Sequence, residues 1–245
     1  MKKERIDKLL NERELSDSPE KAKALVMSGV VLVDEKRVEK PSETFPSGVH
    51  IRIKGETAES RYVSRGGLKL EKALVEFHIR PNGYACLDVG SSTGGFTDCL
   101  LQNGAKKVVA VDAGTNQLVW SLRTDASVEV RENTNARNLK PDDFEEEFDL
   151  IVIDVSFISL TKVIPAMVSL LKENGKIISL IKPQFEVRKG EVGTGGIVRE
   201  GEKHQRVVAE VNDCAVSLGL KVSGLIESPI LGAEGNKEFL ALYER

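Results

Sequence analysis

The stretch Tyr84–Asp98, YACLDVGSSTGGFTD, sets the reading of the chain. An apolar run ends in Asp88, a glycine-rich turn follows, and a helical pattern begins near Thr97. Gly90, Gly94 and Gly95 let the backbone approach a ligand closely and adopt positive φ. At the first strand of a doubly wound sheet, such a turn lies at the strand carboxyl ends, where ligands bind. The dinucleotide fingerprint is G-x-G-x-x-G. The spacing here, G-SST-GG, departs from it. Asp88 and the small polar residues suit a ligand with a cationic amino-acid end and no phosphates. Asp112, at the end of the next apolar run, is placed to accept both hydroxyls of a ribose. NAD and S-adenosylmethionine both carry one, so Asp112 does not separate them. The loop spacing and Asp88 favour the sulfonium cofactor.

Working outward, strand and helix patterns alternate. They are YACLDVG, a helix near 97–102, KKVVAVDA, a helix near 117–122, VEVRE, FDLIVIDV, a helix near 160–171, GKIISLIKP, a helix near 202–218, LKVSGLIES and EFLALYE. Apolar strands alternating with helices predict a buried, mostly parallel α/β sheet with helices on both faces. The last strand is expected to be antiparallel, as an edge insertion. Before it all, residues 1–59 read as a small α+β module. Ser18 caps and Pro19 opens a short helix, and Gly29 ends it. VVLVDEKRVEKP reads as strand, turn, strand, and residues 49–54 alternate as another strand. GETAES (55–60) is turn-rich and linker-like. The expected division is a module at 1–59, a linker at 60–66 and a catalytic domain at 67–245.

Composition bounds the function. Of 245 residues, 40% are hydrophobic and 30% charged, and the net charge is -3, which is ordinary for a globular protein. Residues 1–80 hold 17 Lys+Arg against 14 Asp+Glu, so a weakly basic front meets an acidic body. Cys86, Cys99 and Cys214 form no CxxC pair, which fits packing residues in a reducing cytoplasm. No apolar run approaches the ~18 residues of a membrane helix, and no signal-peptide core follows the N-terminus. No histidine cluster suggests a metal. Aromatic residues are 5% of the chain and show no stacking ladder.

SRGGLKLEKAL, DVGSSTGGFTD, DLIVIDVSFISL, LIKPQFE and SPILGAEGNKEF together resemble the TlyA-type (hemolysin A family) rRNA methyltransferases, within the FtsJ-like group of 2′-O-methyltransferases. RIDKLL, AKALVMSG and VVLVDEKRV resemble the RNA-binding domain first named from ribosomal protein S4, with Ser18-Pro19 standing where that domain often has Ser-Arg. The resemblance implies a Rossmann-like S-adenosylmethionine-dependent methyltransferase sheet. It implies 2′-O-methylation of a ribose, a cytidine in rRNA, on ribosomal RNA or ribosomal subunits. It also implies a Lys-Asp-Lys-Glu set, which falls on Lys69, Asp154, Lys182 and Glu238. Asp154 and Lys182 follow the apolar runs LIVI and ISLI and should emerge at strand carboxyl ends. Lys182 is the candidate proton acceptor, or in charged form the stabiliser of a forming alkoxide.

The expected cofactor site is Asp88, Gly90, Ser91, Ser92, Thr93, Gly94, Gly95, Phe96, Asp112, Asn135 and Asp154, with Ser91 to Phe96 around the methionine end. Asn133 and Asn135, in ENTNAR, either reach the adenine edge or serve as turn residues. Candidate RNA contacts are Arg5, Lys8, Lys21, Lys23, Lys36, Arg37, Arg61 and Arg65, each of which also fits a solvated charged face. The glycine-rich loop 184–198 is read as a substrate lid. Three other readings compete: an NAD(P)-dependent oxidoreductase, a non-catalytic RNA-binding assembly factor, and a membrane-active hemolysin, for which the sequence holds no amphipathic or spanning element.

Overall fold

The computed structural model describes residues 3–13, 15–16, 18–53 and 61–245. GETAES (55–60) therefore lies outside the described residues, as does the side chain of Lys21. The chain forms two compact units, residues 1–61 and 62–245.

The first unit contains β1 (Lys3–Arg5), α1 (Ile6–Glu12), α2 (Pro19–Met27), β2 (Val31–Val33), β3 (Lys36–Arg37), β4 (Thr44–Pro46) and β5 (Ile51–Ile53). Ile6, Leu10, Ala22 and Val26 turn one face of each helix onto Val31, Val33 and Ile53. The β2–β3 hairpin turns at Asp34 and Glu35, both at positive φ, as a two-residue turn requires. The short pair β1–β4 carried no readable alternation in the sequence.

The second unit contains α3 (Gly66–Glu76), β6 (Ala85–Val89), α4 (Gly95–Gln102), β7 (Lys107–Val111), α5 (Trp120–Arg123), β8 (Val128–Arg131), β9 (Phe148–Ile153), α6 (Ile164–Val168), β10 (Leu171–Ile181), α7 (Pro183–Glu186), α8 (Gly201–Ser217), β11 (Lys221–Glu227) and β12 (Phe239–Glu244). One seven-stranded sheet runs β11-β12-β10-β9-β6-β7-β8. Period-two alternation builds two cores. Ile151 and Ile153 face α6 and α8, while Leu150 and Val152 face α3 and α4. Helices therefore cover both faces. β12 is antiparallel to both neighbours, but it is not an edge strand: it lies between β10 and β11. Its fully buried Leu240, Ala241 and Tyr243 explain why, because an edge would leave that apolar run half covered.

The helix expected at 160–171 is shorter. A single turn at Leu160–Lys162 and α6 occupy it, and Leu171 already begins β10. Within residues 60–66, Tyr62 is buried against Leu70 and Cys99, and α3 starts at Gly66.

Candidate active site

The parallel strands deliver their carboxyl ends to one edge of the sheet. The turn at Gly90 follows β6, Asp112 follows β7, Asp154 follows β9 and Lys182 follows β10. β12 enters from that same edge because it runs the other way. Phe239 pairs with Ile181, which places Glu238 level with Lys182.

Gly90 has φ +86°, and a Cβ there would overlap the carbonyl oxygen of Asp154. Only glycine lets the β6 and β9 ends meet so closely. Gly94, at φ +104°, opens α4 with its Cα against Leu122. A cleft of about 450 Å³ runs from Gly90 and Ser92 past Asp112, Gln117 and Asn135 to Ser156, Phe157 and Ile158. A smaller cavity of about 220 Å³ is lined by Ser64, Arg65, Lys69, Ser91, Thr93, Gly95 and Phe96. The two share Gly90, Ser92 and Asp154, so they adjoin at the β6–β9 junction.

The four expected catalytic side chains form two ion pairs. Lys69 Nζ lies 2.5 Å from Glu238 Oε2, with both side chains almost wholly buried. Lys182 Nζ lies 2.5 Å from Asp154 Oδ1 and donates to Ser156 Oγ at 3.0 Å. Lys69 and Asp154 both line the smaller cavity, and that wall joins the two pairs.

Among the expected cofactor residues, the structure divides the set. Gly90, Ser91, Ser92, Thr93, Gly95, Phe96, Asp112, Asn135 and Asp154 line the two cavities, while Gly94 lines neither. Asp112 accepts from the N–H groups of Ser92 (2.8 Å) and Gly114 (2.7 Å), so it also holds two turns together. Asn135 caps a helical turn, its Oδ1 accepting from Arg137 N–H at 3.1 Å. Asn133 sits at positive φ and donates its N–H to Gly114 O, a turn role outside the cleft lining. Asp88 does not line either cavity. It is fully buried beneath the turn, and accepts from Thr97 Oγ1 at 2.6 Å. Its Oδ1 has no hydrogen-bond partner among the described residues. Burial pushes its carboxyl up to about 7.

The expected RNA contacts also divide. Arg5, Lys8 and Lys23 border one cavity of the first unit, although Arg5 is paired with Asp7 at 2.6 Å. Lys36 and Arg37 are exposed on β3, and the Arg37 guanidinium packs over Gly29. Arg61 is exposed, and Arg65 is exposed beside the glycine turn.

Three features were missed in the sequence. Phe157 is 91% exposed at φ +63°, with its ring 5.0 Å from that of Phe185. An aromatic residue three positions after a strand-end carboxylate was the available signal. Glu132 accepts the N–H groups of Asn116, Gln117 and Leu118 and pairs with Arg123 at 2.6 Å, which shapes the Gln117 wall. Glu186, whose carboxyl burial pushes up, accepts from Ser159 Oγ (2.6 Å) and Leu160 N–H (2.8 Å). It ties the segment after Lys182 to the segment after Asp154. The loop 184–198 is thus anchored at its start, and Glu191 is bound by Arg206 within it.

Residues 62–245 match the FtsJ-like methyltransferase family and residues 4–51 the S4 domain. A candidate rRNA methyltransferase of Bacillus subtilis is 48% identical over 98% of this chain and 85% of its own. The 16S/23S rRNA (cytidine-2′-O)-methyltransferase TlyA of Mycobacterium tuberculosis is 43% identical over 96% of this chain and 87% of its own. A solved structure of a candidate hemolysin from Streptococcus thermophilus superposes with a TM-score of 0.75 at 48% identity, covering 100% of this chain and 89% of that one. The chain, with its seven-stranded sheet and two lysine–carboxylate pairs, belongs to the FtsJ-like methyltransferase family and carries an S4 domain ahead of its catalytic unit.

Proposed function

We propose that this protein methylates the 2′-hydroxyl of a ribose in ribosomal RNA, a cytidine's, using S-adenosylmethionine. The observation that carries the reading is the pairing of Lys69 with Glu238 and of Asp154 with Lys182 beside the glycine turn. The relative from Mycobacterium tuberculosis, whose name states this reaction, supports it.

The cleft fits the cofactor. Its volume of about 450 Å³ lies within the usual range for small-molecule sites. Val111, Ala113, Ala136 and Ile158 offer apolar walls for an adenine, and the Asp112 carboxylate faces the same space for ribose hydroxyls. The smaller cavity, with Ser64, Ser91 and Thr93, offers hydroxyls and backbone to a zwitterionic amino-acid end. S-adenosylmethionine, when bound, supplies an electrophilic methyl group. Asp154 lies where the two cavities adjoin and holds Lys182 toward that junction. The Lys182 ammonium, fixed by Asp154 and Ser156, orients the ribose hydroxyl and stabilises the charge that grows on its oxygen as the hydroxyl proton passes to solvent. Lys69, held by Glu238, adds a second positive charge on the cavity wall.

The exposed Phe157 ring at the cleft mouth offers a stacking face for a splayed-out base, the usual way single-stranded or flipped nucleotides are held. An rRNA substrate fits a cytoplasmic protein and supplies a partner for the S4 domain. Among the described residues no helix is long and apolar enough to cross a membrane.

The test is methyl transfer from radiolabelled S-adenosylmethionine to ribosomal subunits that lack the modification, beside a Lys182→Ala variant. Label should enter rRNA, map to a ribose 2′-oxygen and fall by at least ~100-fold in the variant. Equal incorporation by the variant would remove Lys182 from the chemistry. Cofactor binding without transfer to any ribosomal particle would favour a non-catalytic assembly role.

A further inference from the structure

Behind the Lys69–Glu238 pair lies a buried polar knot with no direct part in the proposed chemistry. Asn236, two residues before Glu238, is buried. Its Oδ1 accepts from Val198 N–H at 3.0 Å, and its Nδ2 donates to Gly196 O at 2.9 Å. Val198 O is bonded to His204 Nε2 at 2.8 Å, and the His204 ring packs edge-on against Phe239, the residue after Glu238. On the other side, Asn236 O accepts from Gly232 N–H at 2.8 Å. The Cα of Gly232 lies so close to the Glu238 carboxylate that a Cβ would overlap it.

We infer that Asn236 is a positioning residue: it locks the segment Gly196–Val198 to the start of β12 and so aims Glu238 at Lys69. The inference rests on the proposed function. Glu238 stands just before the first ladder pair, Ile181 with Phe239, and its carbonyl oxygen accepts from Ser228 N–H at 2.9 Å, which holds its backbone on the β11 side. The turn 232–236 sets how the chain enters that position, and its tether is the Asn236 amide. That amide uses a donor and an acceptor on two backbone groups two residues apart. Aspartate has no donor for Gly196 O, and alanine leaves both backbone groups without their partner. The tethered segment lies at the far end of the loop that leaves α7, just after Lys182, and it leads into α8. Asn236 therefore closes a ring between the Lys182 side and the Glu238 side of the site. Through it, the glycine-rich loop is a strut of the catalytic edge, whereas the sequence suggested a lid.

The test uses the full chain with Asn236→Ala, Asn236→Asp and Asn236→Gln, each alone and in a Glu238→Gln background. Readouts are kcat and KM for methyl transfer, cofactor Kd by calorimetry, thermal unfolding, and amide hydrogen exchange. Asn236→Ala should lower kcat by ~10-fold or more with cofactor Kd within ~2-fold, and should add under ~3-fold further loss once Glu238 is already glutamine. Asn236→Gln, which keeps both donor and acceptor, should recover more kcat than Asn236→Asp. Exchange in Asn236→Ala should rise both in 193–198 and in α3 around Lys69. An unchanged kcat, an equal loss in the Glu238→Gln background, or a loss confined to cofactor Kd would overturn the inference. Where Asn236→Ala fails to fold, the ranking of the Gln and Asp variants decides. An inactive wild-type protein would instead refute the proposed reaction. Hydrogen exchange would then still judge the strut, and a rise confined to 193–198 would reject it.

Discussion

Lys69 and Glu238, separated by 169 positions in the chain, meet at 2.5 Å with side chains only 8% and 2% exposed. One comes from a helix that precedes the first strand of the sheet, the other from the residue just before its last strand. A charge pair buried this deeply costs desolvation, and its attraction offsets that cost only while both partners remain.

Removing one partner should therefore harm folding more than removing both. Lys69→Met should destabilise by about 3–5 kcal/mol, because it strands the Glu238 carboxylate. Lys69→Met combined with Glu238→Leu should recover most of that loss. Urea unfolding of the single and double variants checks this, and additive losses would contradict it.

Gly90→Ala should disturb the cofactor site. Its backbone sits at φ +86°, and the new Cβ would push the Asp154 carbonyl away. The strained conformation alone costs on the order of 1–3 kcal/mol. Calorimetry should show cofactor affinity reduced by at least ~10-fold, since both cavities share Gly90 and Asp154. Wild-type affinity in the variant would mean the β6–β9 junction is not where the cofactor lies.

Asp88 should make stability fall as pH rises from about 4 to about 7. Its folded pKa, about 7, is raised above the unfolded value of 3.8, chiefly by burial and in part by Asp154 and Asp112. Between those values the folded state binds more protons than the unfolded state, so rising pH favours unfolding. Above 7 both states are ionised and this contribution levels off. Denaturation of wild type and Asp88→Asn at pH 4, 5.5 and 7 measures it. The variant should gain on the wild type across that window by a few kcal/mol at most, on the order of 1.4 kcal/mol per pH unit. Parallel curves would show that Asp88 stays ionised.

Phe157→Ala should leave thermal stability unchanged or slightly raised, because the ring is 91% exposed and its backbone sits at φ +63°. If the ring stacks a base, KM for ribosomal substrate should rise in line with about 1–3 kcal/mol of lost stacking. Steady-state kinetics with saturating cofactor measures this. A change confined to cofactor Kd would place the ring against the cofactor instead.

Much of the architecture was legible because it rests on local rules. Period-two apolar runs such as FDLIVI and the 17-residue α8 could be read directly, and the glycine turn marked the first strand. The β12 strand could be recognised, but its interior place could not. A six-residue apolar segment looks alike at an edge or in the middle until its neighbours are known. The 160–171 region was read as one helix because its apolar spacing continues past Leu170. Residues Leu171–Ile181 instead pair with β9 and β12, and that pairing outweighs the local pattern.

The site divides in the same way. The sequence by itself determined which chemistry-bearing side chains stand at strand ends. Asp112, Asp154 and Lys182 follow apolar runs, and the backbone delivers such positions to one edge of a parallel sheet. Only the tertiary structure decided what those groups do to one another. It buried Asp88 beneath the turn, spent part of Asp112 on the N–H groups of Ser92 and Gly114, and paired Lys69 with Glu238. Those outcomes depend on distances of a few ångströms between elements far apart in the chain. Burial and pairing are properties of the packed interior, where a charge without a partner is costly, and no local spacing encodes them.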